Sequence, residues 1–166
     1  NFLRAEIDSD TEGTNGKFEE FLHASLDAML NEERAKILIV DNITYLSSET
    51  EKAKDALPLM KQLKKLKTKY NLSILALAHT PKRDQHKPIT KNDLQGSKML
   101  INFCDSSFAI GECETEKGGR YLKQIKARNT EFIFDSNNVA VCQIAKPSNF
   151  LMFQFQYYNS ELDLLM

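Results

Sequence analysis

The chain has 166 residues, of which 42% are hydrophobic, so it can bury one full core. Its 22 basic and 23 acidic side chains nearly cancel, which excludes a global attraction to nucleic acid or membrane and leaves charge-driven binding to local patches. Three scattered cysteines, Cys104, Cys113 and Cys142, indicate reduced thiols rather than a disulfide framework or a zinc site. No apolar stretch approaches the roughly 20 residues that span a bilayer, so we expect a cytoplasmic protein without a membrane partner.

The first 35 residues predict a short strand, a loop and an amphipathic helix. Residues 2–7 form a short extended run, and residues 8–16 form a polar, glycine-containing loop. Six apolar residues then recur at helical spacing: Phe18, Phe21, Leu22, Leu26, Met29 and Leu30. We expect this helix to pack its apolar side on a sheet.

The most informative segment is the apolar run of residues 37–40, which is followed by Asp41 and Asn42. A continuous apolar run of this kind, rich in β-branched residues, is typical of a buried parallel strand. Asp41 would then lie at the carboxyl edge of a sheet, where open α/β proteins bind ligands and a carboxylate can hold a metal through water. A helix-capping turn after a buried strand gives the same pattern and, for this segment alone, is the commoner explanation.

A second amphipathic helix is predicted at residues 57–70. Its apolar side consists of Leu57, Met60, Leu63, Leu66 and Tyr70. Pro58 suits a first helical turn, which leaves residues 49–56 as a separate turn or helix. The lysines of this helix are compatible with a nucleic-acid patch, but a solvated helix face is the commoner origin of such a run.

Residues 72–78 predict the next buried strand, which completes a β-α-β unit with a right-handed crossover. Parallel strands end at the same sheet edge, so His79 and Thr80 are expected beside Asp41. The following segment, residues 81–92, is polar and basic and contains two prolines, and we expect it to be exposed and mobile.

The remainder of the chain predicts one short helix and several strands. Asp93 is a candidate cap for a helix that carries Met99, Leu100 and Phe103. Strands follow at residues 106–110, 120–127, 131–134, 139–144 and 151–156. The predicted class is α/β: a mostly parallel sheet flanked by helices, with a C-terminal antiparallel extension. We expect a single domain over residues 1–166, with its core at 35–111 and its β-hairpin extension at 118–156.

Four motifs in this order resemble the RecA-like ATPase core, and most closely its RepA, DnaB and KaiC branch. They are residues 37–42, 75–80, 93–97 and 125–129. The resemblance extends from Lys36 to about Gln156. It implies a mostly parallel RecA-like sheet and an ATPase that acts in the replication or mobilisation of a bacterial plasmid or mobile element.

The resemblance assigns the strand-end residues to an ATP site. Asp41 matches the Walker B aspartate, which would hold the water shell of Mg²⁺, and Asn42 would orient that shell. His79 would sense the γ-phosphate from the end of its strand, where many relatives have a glutamine. A histidine that caps a neighbouring carbonyl is about as frequent at such a position.

Lys126 and Arg128 match the Lys-x-Arg pair that such ATPases insert into the ATP site of a neighbouring subunit. Alternate residues of a strand share a face, so both cations can reach one γ-phosphate. The resemblance therefore implies a homo-oligomer, for which a hexameric ring is one form. The alternative is a pair of exposed strand cations that only aid solubility.

DNA is the other partner that the resemblance implies. The basic loop and the segment after it match the region where these ATPases contact nucleic acid, and the candidate residues are Lys82, Arg83, Lys87, Lys91, Gly96 and Ser97. The loop has no aromatic residue on which a base could stack. A loop that merely covers the nucleotide is a close alternative.

One departure from the family is severe, because none of the glycines begins the phosphate-binding G-x-x-x-x-G-K-[ST] pattern. The catalytic glutamate of the relatives is not identifiable either. We therefore expect the chain to be the C-terminal part of an ATPase core, inactive alone and with an unfilled sheet edge that invites self-association. The alternative is a RecA-like binding or assembly module that does not hydrolyse ATP.

Overall fold

The helices and strands were located in a computed structural model, which describes residues 3–6, 17–43, 53–80, 82–93 and 98–166. The chain divides into two units. The first contains Asn1–His79 and Gln95–Leu100, and the second contains Thr80–Leu94 and Ile101–Met166.

The first unit has the predicted β-α-β order. Helix α1 (Lys17–Glu33) precedes strand β1 (Ile37–Val40), and helix α2 (Ala53–Tyr70) leads to strand β2 (Ser73–Ala76). The two strands pair in parallel from Ile37↔Ser73 to Val40↔Ala76. The predicted helix at 18–30, the two strands and their parallel pairing are therefore confirmed.

The apolar run of β1 is buried on one side only, so the prediction of a fully buried strand was wrong. Leu38 and Val40 are buried, whereas Ile37 and Ile39 are 67% and 52% exposed. Within the described ranges, β1 and β2 form a two-stranded sheet, and β2 has no buried residue. An all-apolar strand indicates that both of its faces could be buried, but its sequence does not determine whether another element packs on each face.

Helix α2 is continuous across Pro58, so the separate segment predicted before Pro58 is wrong. Proline lacks an N–H and removes the bond to the carbonyl four residues earlier, and here that carbonyl belongs to the first turn. At the other end of the helix, the Lys69 ammonium and the Tyr70 hydroxyl donate to Asp27 of α1 at 2.7 and 2.9 Å. Lys69 and then Tyr70 lower the pKa of the Asp27 carboxyl.

The second unit contains an antiparallel sheet, and the short helix before this sheet is divided between the two units. Helix α3 (Lys98–Phe103) leads to β3 (Ser106–Glu112), β4 (Gly119–Ala127), β5 (Val139–Ala145) and β6 (Met152–Asn159). The spatial order is β3-β4-β5-β6, and every neighbouring pair is antiparallel. Short connections between successive strands favour this arrangement.

The predicted C-terminal antiparallel strands are thus confirmed, but the described sheets are not mostly parallel. β3 was assigned to the core of the predicted domain, and it pairs instead with β4 in the antiparallel sheet. The parallel part is restricted to β1 and β2. The protein has a mixed α/β fold.

Two predicted strands are absent from the part of the chain that the structure describes. Residues 131–134 are irregular, because the Gln124 side chain accepts the N–H groups of Ile133 and Phe134 at 2.7 and 2.9 Å. A side chain therefore replaces part of the ladder that a strand would form. Residues 3–6, the described part of the N-terminal extended run, also lie outside any strand.

The core of the second unit lies on one face of the four-stranded sheet. Tyr121, Val139 and Val141 are fully buried there, and they pack with Leu164 and Leu165 near the chain end. The alternation of β4 is regular, with Gly119, Tyr121, Lys123 and Ile125 buried. Lys123 therefore lies on the face of β4 that packs into the core.

Candidate functional site

Asp41 and His79 lie at the same edge of the parallel strand pair. Pairing continues past β1, since Leu77 N–H donates to the Val40 carbonyl and Ile43 N–H donates to the Leu77 carbonyl, both at 2.9 Å. The chain therefore leaves both strands at one edge, as the β-α-β pattern predicted.

The residues at this edge differ in burial. Asp41 and His79 are exposed, whereas Asn42 is buried and is joined to Asp41 by a cis peptide bond. An exposed carboxylate at the end of a parallel strand can bind Mg²⁺ through water, and an exposed imidazole can donate to a phosphate. The edge therefore presents an exposed carboxylate and an exposed imidazole side by side on neighbouring strands.

Lys126 and Arg128 converge on the C-terminal end of α3. The Lys126 ammonium donates to the Ile101 carbonyl at 2.6 Å and to the Asn102 carbonyl at 3.1 Å. The Arg128 guanidinium donates to the same Asn102 carbonyl at 3.1 Å. The two cations therefore share one face, as their alternate spacing predicted.

These contacts give both cations a function within their own unit. The last carbonyls of a helix lack intrahelical donors and carry partial negative charge, so cations stabilise them. Arg128 also pairs with Asp105 at 3.2 Å, and its side chain remains 50% exposed. A role in another subunit would require Arg128 to exchange these partners for a phosphate.

The basic loop has more structure than the sequence indicated. The Arg83 guanidinium is half-buried and donates through two nitrogens to the Lys87 carbonyl, each at 2.7 Å. Lys87 itself pairs with Asp84 at 3.3 Å. Lys82, Lys87 and Lys91 are exposed, whereas Arg83 holds the loop together. Two other candidates, Gly96 and Ser97, lie outside the described residues.

Asp93 stabilises the turn that ends this loop. Its carboxylate accepts the N–H and the hydroxyl of Thr90 at 2.6 and 2.8 Å. Residues 91–93 form a 3₁₀ turn between these partners. The acid therefore reaches back to the residue that opens the turn, as the acid of a capping box does, while the Thr90 hydroxyl accepts the Asn92 N–H at 3.2 Å.

A buried ion pair, which the sequence analysis missed, anchors the loop to the sheet. Lys123 and Glu161 are 7% and 0% exposed, and the Lys123 ammonium donates to the Glu161 carboxylate at 2.5 Å. Ile89 of the loop is joined to both: its N–H donates to Glu161 at 2.7 Å and its carbonyl accepts from Lys123 at 2.7 Å. The prediction of an exposed loop is therefore wrong at Ile89, which is 5% exposed.

The hydroxyl of Tyr121 completes this cluster by donating to Glu161 at 3.0 Å. Burial, followed by the negative charge of Glu161, raises the pKa of the Tyr121 phenol. Tyr121 therefore stays neutral and donates at physiological pH. The alternation of Lys123 with Tyr121 and Ile125 could have predicted that this lysine is buried. Its partner Glu161 lies 38 residues away, and no local pattern links the two residues.

Neither a protein-family model nor a curated protein matches this chain. Among the residues that the structure describes, no group of three or more His, Cys, Asp or Glu side chains could hold a metal ion. No helix within the described ranges is long and apolar enough to cross a membrane. The RecA-like interpretation therefore depends on the four motifs and on the strand geometry.

Proposed function

We propose that the chain is part of a RecA-like ATPase that binds and hydrolyses ATP with Mg²⁺ and acts on DNA in the replication or mobilisation of a genetic element. One observation carries this proposal: the parallel pair of β1 and β2 ends with Asp41 and His79 exposed at a single edge. Ligand sites of open α/β sheets lie at such edges. The order of the four sequence motifs supports the same function.

In this proposal, Asp41 holds Mg²⁺ through its water ligands, because Mg²⁺ keeps several waters and needs few carboxylates. Such a site does not require the cluster of three ligands that is absent from the described residues. Asn42 orients the water shell, and His79 donates to the γ-phosphate. These 166 residues contain no G-x-x-x-x-G-K-[ST] pattern, so the proposal requires a phosphate-binding loop that this sequence does not contain.

Lys126 and Arg128 act on the ATP site of a neighbouring subunit in a ring. Their shared direction supports this assignment, since two cations that reach one carbonyl oxygen can also reach one phosphate. Lys82, Lys87 and Lys91 supply exposed positive charge for a DNA backbone. Arg83 keeps the loop in shape and contributes less to binding.

A second function is favoured by a different observation. Lys126 and Arg128 already have partners at the end of α3, as structural cations do. A binding or assembly module that does not hydrolyse ATP would keep these contacts permanently. Hydrolysis measurements distinguish the two functions.

Replacing Asp41 with alanine is expected to lower Mg-ATP hydrolysis by the complete gene product by about 10- to 100-fold, because the residue orients metal-bound waters. Hydrolysis is measured with and without single-stranded DNA. The matched control is Asp163→Ala, which removes an exposed carboxylate from the second unit and should retain full activity. Absence of both hydrolysis and nucleotide binding in the unmodified protein would favour the assembly module.

A further inference from the structure

The four-stranded sheet has a second face, opposite the core of its unit. Cross-strand partners share a face, so the register defines rows that run across all four strands. One row is apolar throughout and consists of Ile110, Leu122, Ala140 and Tyr158. The adjacent row consists of Glu112, Arg120, Cys142 and Phe155. We name this surface the outer face, and it also includes Phe108, Gln124, Ile144 and Phe153.

Large apolar side chains on the outer face are about half exposed. Their exposed fractions are 56% for Phe108, 48% for Ile110, 47% for Ile144, 44% for Phe153, 50% for Phe155 and 54% for Tyr158. The rings of Phe155 and Tyr158 lie 4.8 Å apart between centroids, and Phe134 stacks on Tyr158 at 5.7 Å. Phe134, Tyr158 and Phe155 therefore form one aromatic cluster on this face.

The charge of the outer face is balanced. Among the residues that define the outer face, Arg120 and Glu112 are the charged ones, and they form an ion pair at 2.7 Å. A polyanion would find no net positive charge on these rows, which disfavours nucleic acid. A second copy of the same face would meet no uncompensated like charge.

The exposed area is close to what one partner contributes to a stable dimer. Six large side chains, each about half exposed, present about 600 Å² of mainly apolar surface. A standard interface takes about 800 Å² from each partner, and the largest apolar patch of a typical monomer is about 300–600 Å². The outer face alone supplies most of a dimer interface.

We propose that the outer face packs against the outer face of a second copy of this chain, in a symmetric sheet-on-sheet dimer. A two-fold axis parallel to the strands places the aromatic strand β6 of each copy over β3 of the other. The smaller residue Ala140, on a central strand, leaves space near the axis. Two sheets packed in this way form an apolar core about 10 Å thick. This inference goes beyond the proposed ATPase function and does not depend on nucleotide.

The test is sedimentation equilibrium of the 166-residue chain over the micromolar range, without nucleotide. The unmodified chain is expected to be a dimer. Phe155→Ser and Tyr158→Ser are each expected to raise the dimer Kd about tenfold, and together about 100-fold, because the dimer would bury both rings. Phe21→Ser is the control, since it removes an exposed aromatic residue from α1.

Far-ultraviolet circular dichroism of each variant verifies that the fold is retained, and Phe155→Leu provides a variant that keeps an apolar side chain at this position. A monomer throughout the concentration range would overturn the proposal. It would also be overturned by an oligomer that Phe21→Ser weakens as much as Phe155→Ser does, or by one that the outer-face variants leave unchanged.

Discussion

Replacing Lys123 with methionine is expected to lower the free energy of unfolding by about 3–5 kcal/mol. The substitution keeps an unbranched apolar stem but removes the ammonium that faces Glu161, so a carboxylate that is 0% exposed loses its counter-charge. The Ile89 carbonyl loses its donor at the same time. Urea unfolding followed by circular dichroism measures the effect.

Two comparisons separate this mechanism from a general effect of removing a lysine. Lys117→Met removes an exposed lysine near the start of β4 and should change the stability by less than about 0.5 kcal/mol. The double variant Lys123→Met with Glu161→Gln should be more stable than Lys123→Met alone, because no buried charge remains unpaired. Equal stability of these two variants would contradict a charge mechanism.

Substitution of Gly111 with alanine is expected to destabilise the protein by about 1–3 kcal/mol, as overpacking of a core typically does. A methyl group at Gly111 would lie 2.2 Å from Cζ and 2.5 Å from Cε1 of Tyr121. The ring has little room to retreat, because Tyr121 is 0% exposed and its hydroxyl binds Glu161. Thermal unfolding measures the loss as a lower midpoint.

A double-mutant cycle identifies the Tyr121 ring as the cause. Tyr121→Leu removes the atoms that the new methyl group would meet, so Gly111→Ala should cost much less in that background. Similar costs in both backgrounds would assign the effect to the β3 backbone rather than to the ring.

Periodicity predicted the local structure where the backbone groups find partners within one helix or in the next strand along the chain. The helix at residues 18–30 and the antiparallel strands follow from spacing alone. Residues 131–134 have a similar strand propensity, but the Gln124 side chain accepts the N–H groups of Ile133 and Phe134. Pro58 was predicted to lie in the first turn of its helix, but the helix begins at Ala53. A proline near the start of a helix removes only one backbone hydrogen bond, so the helix can extend before it.

The sheets show what an apolar pattern leaves open. Ile37 and Ile39 predict a buried strand face, yet both side chains are exposed. The apolar character of a strand does not specify which element packs on that face. The pairing of β3 with β4 depends on their short connection, whereas the expected parallel sheet depended on a longer-range order of strands. Long-range order is weakly encoded in any one segment.

Some features of the candidate site could be predicted from the sequence and others could not. The common edge of Asp41 and His79 followed from the β-α-β rule, and the shared face of Lys126 and Arg128 followed from strand alternation. The pair of Lys123 and Glu161 could not be matched from sequence, because no periodic rule relates β4 to a turn after β6. The contacts of Arg128 with α3 depend on how that helix packs, which the Lys-x-Arg motif does not encode.

The most direct test of the shared-site ATPase is a mixing experiment with the complete gene product. Arg128→Ala subunits keep the site for Mg-ATP but lack the cation for their neighbour, and Asp41→Ala subunits have the opposite defect. Each variant alone is expected to lose at least about 90% of the hydrolysis. In an equimolar mixture, roughly a quarter of the interfaces join an intact Asp41 to an intact Arg128, since each is present in half of the subunits. Hydrolysis should therefore return on mixing. A mixture as inactive as its components, or an Arg128→Ala protein with unchanged activity, would contradict the account.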